Sequence, residues 1–127
     1  MIGVDANILM ELLEKRVHAV AVRSIIAQYQ EAGEDLAIST LSLSHVFYLA
    51  ESHKLTMRSV ELLAFSYKMY DVVASDAAWA LEHYAGTDFE DALQIAAAKR
   101  VGATTFLTLD APLAKKYQKF LPIKLVR

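Results

Sequence analysis

The sequence predicts an α/β domain, three layers deep (α/β/α), around a mainly parallel five-stranded sheet. Three observations carry this. Short apolar runs, "MIGV", "LAIS", "DVVA", "TTFLTL" and "IKLV", recur between longer segments that space their apolar residues as helices do. Strands that alternate with helices build a parallel sheet covered on both faces. The 127 residues hold no repeat, linker or low-complexity stretch, so residues 1–127 form a single domain.

Each element has its own signal. "MIGV" is a short buried strand ending at Asp5, followed by the helix "ANILMELLEK". From Val17 to Ala32 apolar residues (Val22, Ile25, Ile26, Tyr29) fall at helical spacing, and Gly33 is a natural stop. "LAIS" is the second strand, after which Ser39 or Thr40 caps a helix through "LSLSHVFYLAES". A helix from about Thr56 to Lys68 leads to the third strand, "DVVA". Ser75 or Asp76 caps "AAWALEHYA", which Gly86 ends. The helix opened by "DFED" runs to Val101, with Gly102 placed as its C′ residue. "TTFLTL" and "IKLV" close the sheet, with a short helix after Asp110 between them.

Composition narrows the function classes. Hydrophobic residues make up 55 %, yet no apolar run approaches the roughly 18 residues that span a membrane. The first residues carry no basic leader, so no signal peptide is expected. The absence of cysteine excludes disulfides and thiolate metal sites and fits a reducing cytoplasm. Charge is uneven: residues 1–98 hold fourteen acids against six Lys or Arg, whereas residues 99–127 hold one acid against seven. Such a basic third either solvates the last helix and strand or draws an anion, with Lys115 and Lys116 its candidate contacts.

In a parallel sheet, ligands bind at the carboxyl edge of the strands. Asp5 ends the first strand there and Asp110 follows the fourth, while Asp88 and Asp91 open the helix that returns to it. Each acid has a local explanation. "TDFE" reads as a capping box with Thr87 as N-cap and Glu90 at the third position. Asp5 and Asp110 read as N-caps in the same way, with Asn7 a bystander. Capping does not explain why one edge collects four carboxylates, which repel unless a cation intervenes or a proton is retained. Hard oxygen donors without cysteine or paired histidine point to Mg²⁺ or Mn²⁺, ions that serve phosphate chemistry. No GxxxxGK[ST], GxGxxG or GxSxG is present to indicate another kind of phosphate or acyl chemistry.

"VDANIL", "DFEDALQIAAAKRVGA" and "FLTLD", in that order across nearly the whole chain, resemble the PIN domain, especially its small VapC-like toxin members. The resemblance implies an α/β/α fold, a Mg²⁺- or Mn²⁺-dependent ribonuclease acting on RNA, a small antitoxin protein as partner and a homodimer. It places Asp5, Asp91 and Asp110 at the core metal-binding positions and Asp88 at an additional acidic one. Asn7 and Thr108 match supporting polar positions.

The pattern breaks at one place. Where the family carries a glutamate after the second strand, "STLSLSHVFYL" places His45. Glu51, six residues on, lies about 240° around the helix and faces away. Glu90, next to Asp91, is likewise expected to point elsewhere. Three roles are open to His45: ligand to a softer ion, phosphate contact or acid–base group, or a pairing residue in a catalytically degraded, RNA-binding or scaffolding domain. His18, His53 and His83 lack metal-ligand spacing and are expected at the surface. Trp79, Tyr67, Tyr70 and Tyr84 are expected in the core or an interface, and Ser39 and Ser42 as caps or surface hydroxyls.

Overall fold

The predicted alternation is realised in the computed structural model, which describes residues 1–127, as β1 (Ile2–Val4), α1 (Ala6–Leu13), α2 (Ala19–Glu31), β2 (Leu36–Ser39), α3 (Thr40–Ser52), α4 (Met57–Ala64), β3 (Lys68–Tyr70), α5 (Ala74–His83), α6 (Phe89–Arg100), β4 (Thr105–Thr108), α7 (Ala111–Tyr117) and β5 (Ile123–Leu125). The strands form one sheet in the order β3-β2-β1-β4-β5, and every pairing is parallel. The chain runs outward from β1 to β3, then crosses to the other side of β1 to add β4 and β5. The switch in strand order therefore falls between β1 and β4, and the crevice beyond their carboxyl ends is where such sheets bind ligands.

Alternate strand residues fill two cores, as the period of two requires. Ile2, Val4, Leu36, Ile38 and Leu107 pack toward α1–α4, while Ala37, Tyr70 and Phe106 pack toward α5–α7. Gly3 is where the second layer comes closest: a Cβ there would stand 3.0 Å from the Phe106 ring and 3.6 Å from the Tyr70 hydroxyl. The end of α6 follows the expectation for Gly102, which takes φ +83°. Gly102 N–H donates to Lys99 and Ala103 N–H to Ala98, the paired bonds of a Schellman stop.

Several boundaries move. The third strand is Lys68–Tyr70 rather than "DVVA", because Tyr70 is the residue whose ring is buried, while Val73 is 39 % exposed. The helix before it ends at Ala64, short of Lys68, and the first helix ends at Leu13. Neither Ser75 nor Asp76 is the N-cap of α5. Asp76 sits one turn inside and reaches back to accept from Val73 N–H at 2.9 Å. The same buried carboxylate takes Arg100 Nε at 2.9 Å, which clamps the start of α5 to the end of α6. Tyr67 and Tyr70 are buried as expected. His18 and His83 are not fully at the surface: both are half-buried, and His83 stacks on Trp79 with ring centroids 3.9 Å apart.

Candidate functional site

At the switch point the chain leaves β1 through Asp5 and β4 through Thr108, and the two ends are stitched together. Thr108, fully buried, donates its hydroxyl to Asp5 Oδ2 at 2.8 Å. Thr108 Oγ1 in turn accepts from Asp110 N–H at 3.0 Å. Asn7 Nδ2 lies 3.3 Å from both Asp5 Oδ2 and Thr108 Oγ1, and Asn7 Oδ1 accepts from Leu109 N–H at 3.2 Å. Asn7 is therefore a tie between the two strand ends and no bystander. Asp110 does cap a helix, accepting from Leu113 N–H at 3.1 Å, and faces the crevice as well. Asp5 occupies the N-cap position of α1 without capping it; its side chain turns to Thr108 and Asn7 instead.

The crevice has a volume of about 300 Å³, and Ala6 is its sole apolar lining residue. It gathers all four predicted aspartates, Asp5, Asp88, Asp91 and Asp110, from three distant parts of the chain. Asn7 and His45 line it too; Thr108 supports it from below. A hollow of about 410 Å³ lies beside the starts of β2 and β3, but its acids are engaged: Glu34 with the N-terminal amine and Asp35 with Lys68.

The aspartates differ in how their charge is met. Burial raises the Asp5 carboxyl above its ordinary range, opposed by the Thr108 hydrogen bond and reinforced by Asp110. Asp91 is pushed up to about 6, by burial first and then by Asp110, Asp5, Asp88 and Glu90 around it. Asp88 is held well below the usual carboxylate range, by Lys116 Nζ first and then by Tyr117 OH at 2.5 Å. Its other oxygen accepts from Ala85 N–H at 2.7 Å, so the expected box from Thr87 to Glu90 does not form. Lys116, one of the two predicted RNA contacts, is thus committed to Asp88, whereas Lys115 is exposed.

The residues fit a hard divalent cation by their chemistry. Asp5, Asp91 and Asp110 bring anionic oxygens together with no Lys or Arg paired to any of them. No three of the acidic or histidine side chains stand close enough together to form a ready-made metal site. An open arrangement is what Mg²⁺ takes, since it keeps several waters and binds through one or two carboxylates plus substrate phosphate.

The α3 wall differs from the sequence expectation. Glu90 does not point elsewhere: it lines the crevice, and its Oε1 lies 3.3 Å from His45 Nδ1. The helix begins on the carboxyl edge with Asp88 at its N-cap, so Glu90 and Asp91 of its first turn reach the opening while Phe89 packs on the second core. Glu51 is exposed and takes no part. Ser39 caps α3 by accepting from Ser42 N–H at 3.0 Å, as expected. Ser42 is neither a cap nor a surface hydroxyl; it is fully buried on the crevice wall. Gln94, one turn after Asp91, also lines the crevice. Its spacing of three from Asp91 was the available signal for placing it there.

Comparisons with known proteins bear on the fold and the family. No curated protein sequence matches the chain. Among solved structures, a chain of VapBC2 from Rickettsia felis, bound to a promoter DNA fragment, superposes with a TM-score of 0.77 at 18 % identity over 100 % of both chains. A chain of a toxin–antitoxin complex from Klebsiella pneumoniae gives 0.70 at 19 %, covering 98 % of this chain and 96 % of that one. VapC20 of Mycobacterium tuberculosis, a sarcin-ricin loop cleaving toxin, gives 0.70 at 16 %, covering 91 % and 94 %. At these identities the likeness establishes the fold. The sequence profile of the PIN domain matches residues 2–119, nearly the whole chain, and the protein belongs to the PIN domain family.

Proposed function

We propose that this protein is a Mg²⁺- or Mn²⁺-dependent endoribonuclease and the toxin of a toxin–antitoxin pair. One observation carries the reading: three aspartates from β1, α6 and the end of β4 meet at the switch point with no Lys or Arg paired to them, and burial together with the neighbouring acids raises Asp91 to about 6. Asp5, Asp91 and Asp110 hold the ion. Such an ion polarises a phosphoryl oxygen, lowers the pKa of water and neutralises charge developing at phosphorus. Thr108 and Asn7 fix the orientation of Asp5. Asp88, its charge met by Lys116 and Tyr117, plays the lesser part at the rim, orienting a water. Lys115 attracts the RNA backbone, a contact that positions a strand without reading its sequence.

The partners follow from the same reading. The similar chains from Rickettsia felis and Klebsiella pneumoniae are seen in toxin–antitoxin assemblies, which supports a small antitoxin protein here. Val17, Tyr48, Leu62 and Phe65 are each more than half exposed and supply apolar surface for that partner or for a homodimer. No helix is long and apolar enough to cross a membrane.

The test incubates the purified protein with single-stranded RNA and Mg²⁺ or Mn²⁺, beside Asp91→Asn and His45→Glu. Cleavage by the wild type that disappears in Asp91→Asn is expected. Cleavage that survives Asp91→Asn would remove the metal assignment. A silent wild type with activity gained in His45→Glu would mark a degraded site with an RNA-binding or scaffolding role.

A further inference from the structure

Beside the aspartates, the crevice carries a pair of neutral donors, Ser42 on α3 and Gln94 on α6, with nothing to donate to. Ser42 Oγ is fully buried and has no hydrogen-bond partner. An orphaned buried hydroxyl is costly and uncommon, which makes it a pointer to a missing acceptor. Ser39 Oγ already accepts from Ser42 N–H, so its own hydrogen goes to Gln94 Oε1 at 2.8 Å. That bond fixes the Gln94 amide and leaves Nε2 as its free end, on a side chain that is 5 % exposed and faces the crevice. The N-terminus of α3, a thirteen-residue helix, lies at the same place and favours negative charge.

Two adjacent donors select an acceptor. A water on a divalent cation presents hydrogens and suits the aspartates; an anionic phosphate oxygen suits this wall. We propose that Ser42 and Gln94 form a neutral subsite holding a non-bridging oxygen of the phosphodiester in the crevice. The subsite rests on the nuclease reading and names the group that Ser42 of α3 and Gln94 of α6 grip together. Neutral donors hold an anion beside three carboxylates without pairing with them, as a lysine there would.

Dimethyl phosphate, a phosphodiester with no base, is titrated into ¹⁵N-labelled protein with Mg²⁺ present, following the Gln94 side-chain amide, assigned by its loss in Gln94→Leu. A saturable shift of that amide is expected, with affinity about tenfold weaker in Ser42→Ala. Because Ser42→Ala deletes an unpartnered hydroxyl, its Tm should equal or exceed the wild type's; a role confined to structure would lower Tm and leave affinity unchanged. An amide that does not move, or unchanged affinity in Ser42→Ala, overturns the subsite. RNA cleavage measured in parallel separates the two readings. Cleavage at wild-type rate in both variants sinks the subsite and leaves the nuclease; a phosphodiester-induced shift without cleavage sinks the nuclease and leaves the subsite.

Discussion

Asp88 and Asp91 are three residues apart on one helix start and line one crevice, yet their surroundings push them in opposite directions. Asp88 has a lysine, a phenol and a backbone N–H on its carboxylate. Asp91 has burial and four other acids around it. The first environment satisfies a charge within the protein; the second leaves one to be satisfied from outside. Spacing brings both acids to the site, and compensation decides which of them is free to hold an ion.

The largest break in this comparison is Asp91→Asn, which we expect to lower RNA cleavage by at least about a hundredfold and to weaken Mn²⁺ binding measured by calorimetry. Asp88→Asn should cost less activity and more stability, since it loosens Lys116 and Tyr117 and leaves the three-aspartate group in place. Cleavage rates and Tm of the two variants, side by side, test that split. Next in size is Thr108→Val, which removes the hydroxyl that donates to Asp5 and accepts from Asp110 N–H. A supporting residue of this kind typically carries a ten- to hundredfold effect on metal affinity or activity, roughly, and the loss here should appear in the Mn²⁺ titration.

The pH dependence of stability sharpens the same contrast without any substrate. The Asp91 pKa is raised in the folded protein, so folding takes up a proton there. Its unfavourable contribution appears as pH rises from the ordinary carboxylate range near 4 through about 6 and is then constant. The metal-free wild type should lose on the order of 1 kcal/mol relative to Asp91→Asn across that window, after allowance for screening at a half-exposed site. Adding Mg²⁺ should reverse the loss. Asp88 has the opposite sign: its pKa is lowered on folding, so its contribution is present above the ordinary range and lost as pH falls below it. Thermal melts of the wild type and both variants between pH 3 and 7, a span of about four units around those values, would show the two slopes.

Much of the fold was legible because burial repeats on a lattice of period two or 3.6. "MIGV", "LAIS" and "TFLT" are strands for that reason, and "DALQIAAAKR" is a helix. "DVVA" misled because apolar content there serves the turn into α5, while β3 is an edge strand with Lys68 and Met69 exposed. At the site, topology alone brought Asp5, Asp88, Asp91 and Asp110 together. It could not reveal that Lys116 closes on Asp88, because that contact joins residues 28 apart through the placing of α7 against α6. The orphaned hydroxyl of Ser42 was invisible for a related reason: it depends on tertiary placement, which brings Gln94 of α6 to the Ser39 cap of α3, not on its own neighbours in the chain.

The smallest predicted effect concerns His45 and Glu90. Their contact is 3.3 Å long, and the two side chains are 41 % and 56 % exposed. A pair this open gains little in water and loses side-chain entropy, so its coupling should not exceed about 1 kcal/mol. A double-mutant cycle with His45→Ala and Glu90→Ala, read by denaturation at pH 7, should return a value in that range. The same four proteins assayed on RNA sharpen the comparison between paired and unpaired acids. If Glu90 is only a rim charge, Glu90→Ala changes the salt dependence of cleavage more than its rate at saturating substrate. A coupling well above 1 kcal/mol, or loss of turnover in Glu90→Ala as large as in Asp91→Asn, would place Glu90 with the ion-holding acids. It would then be the carboxylate that α6 supplies where α3 carries a histidine.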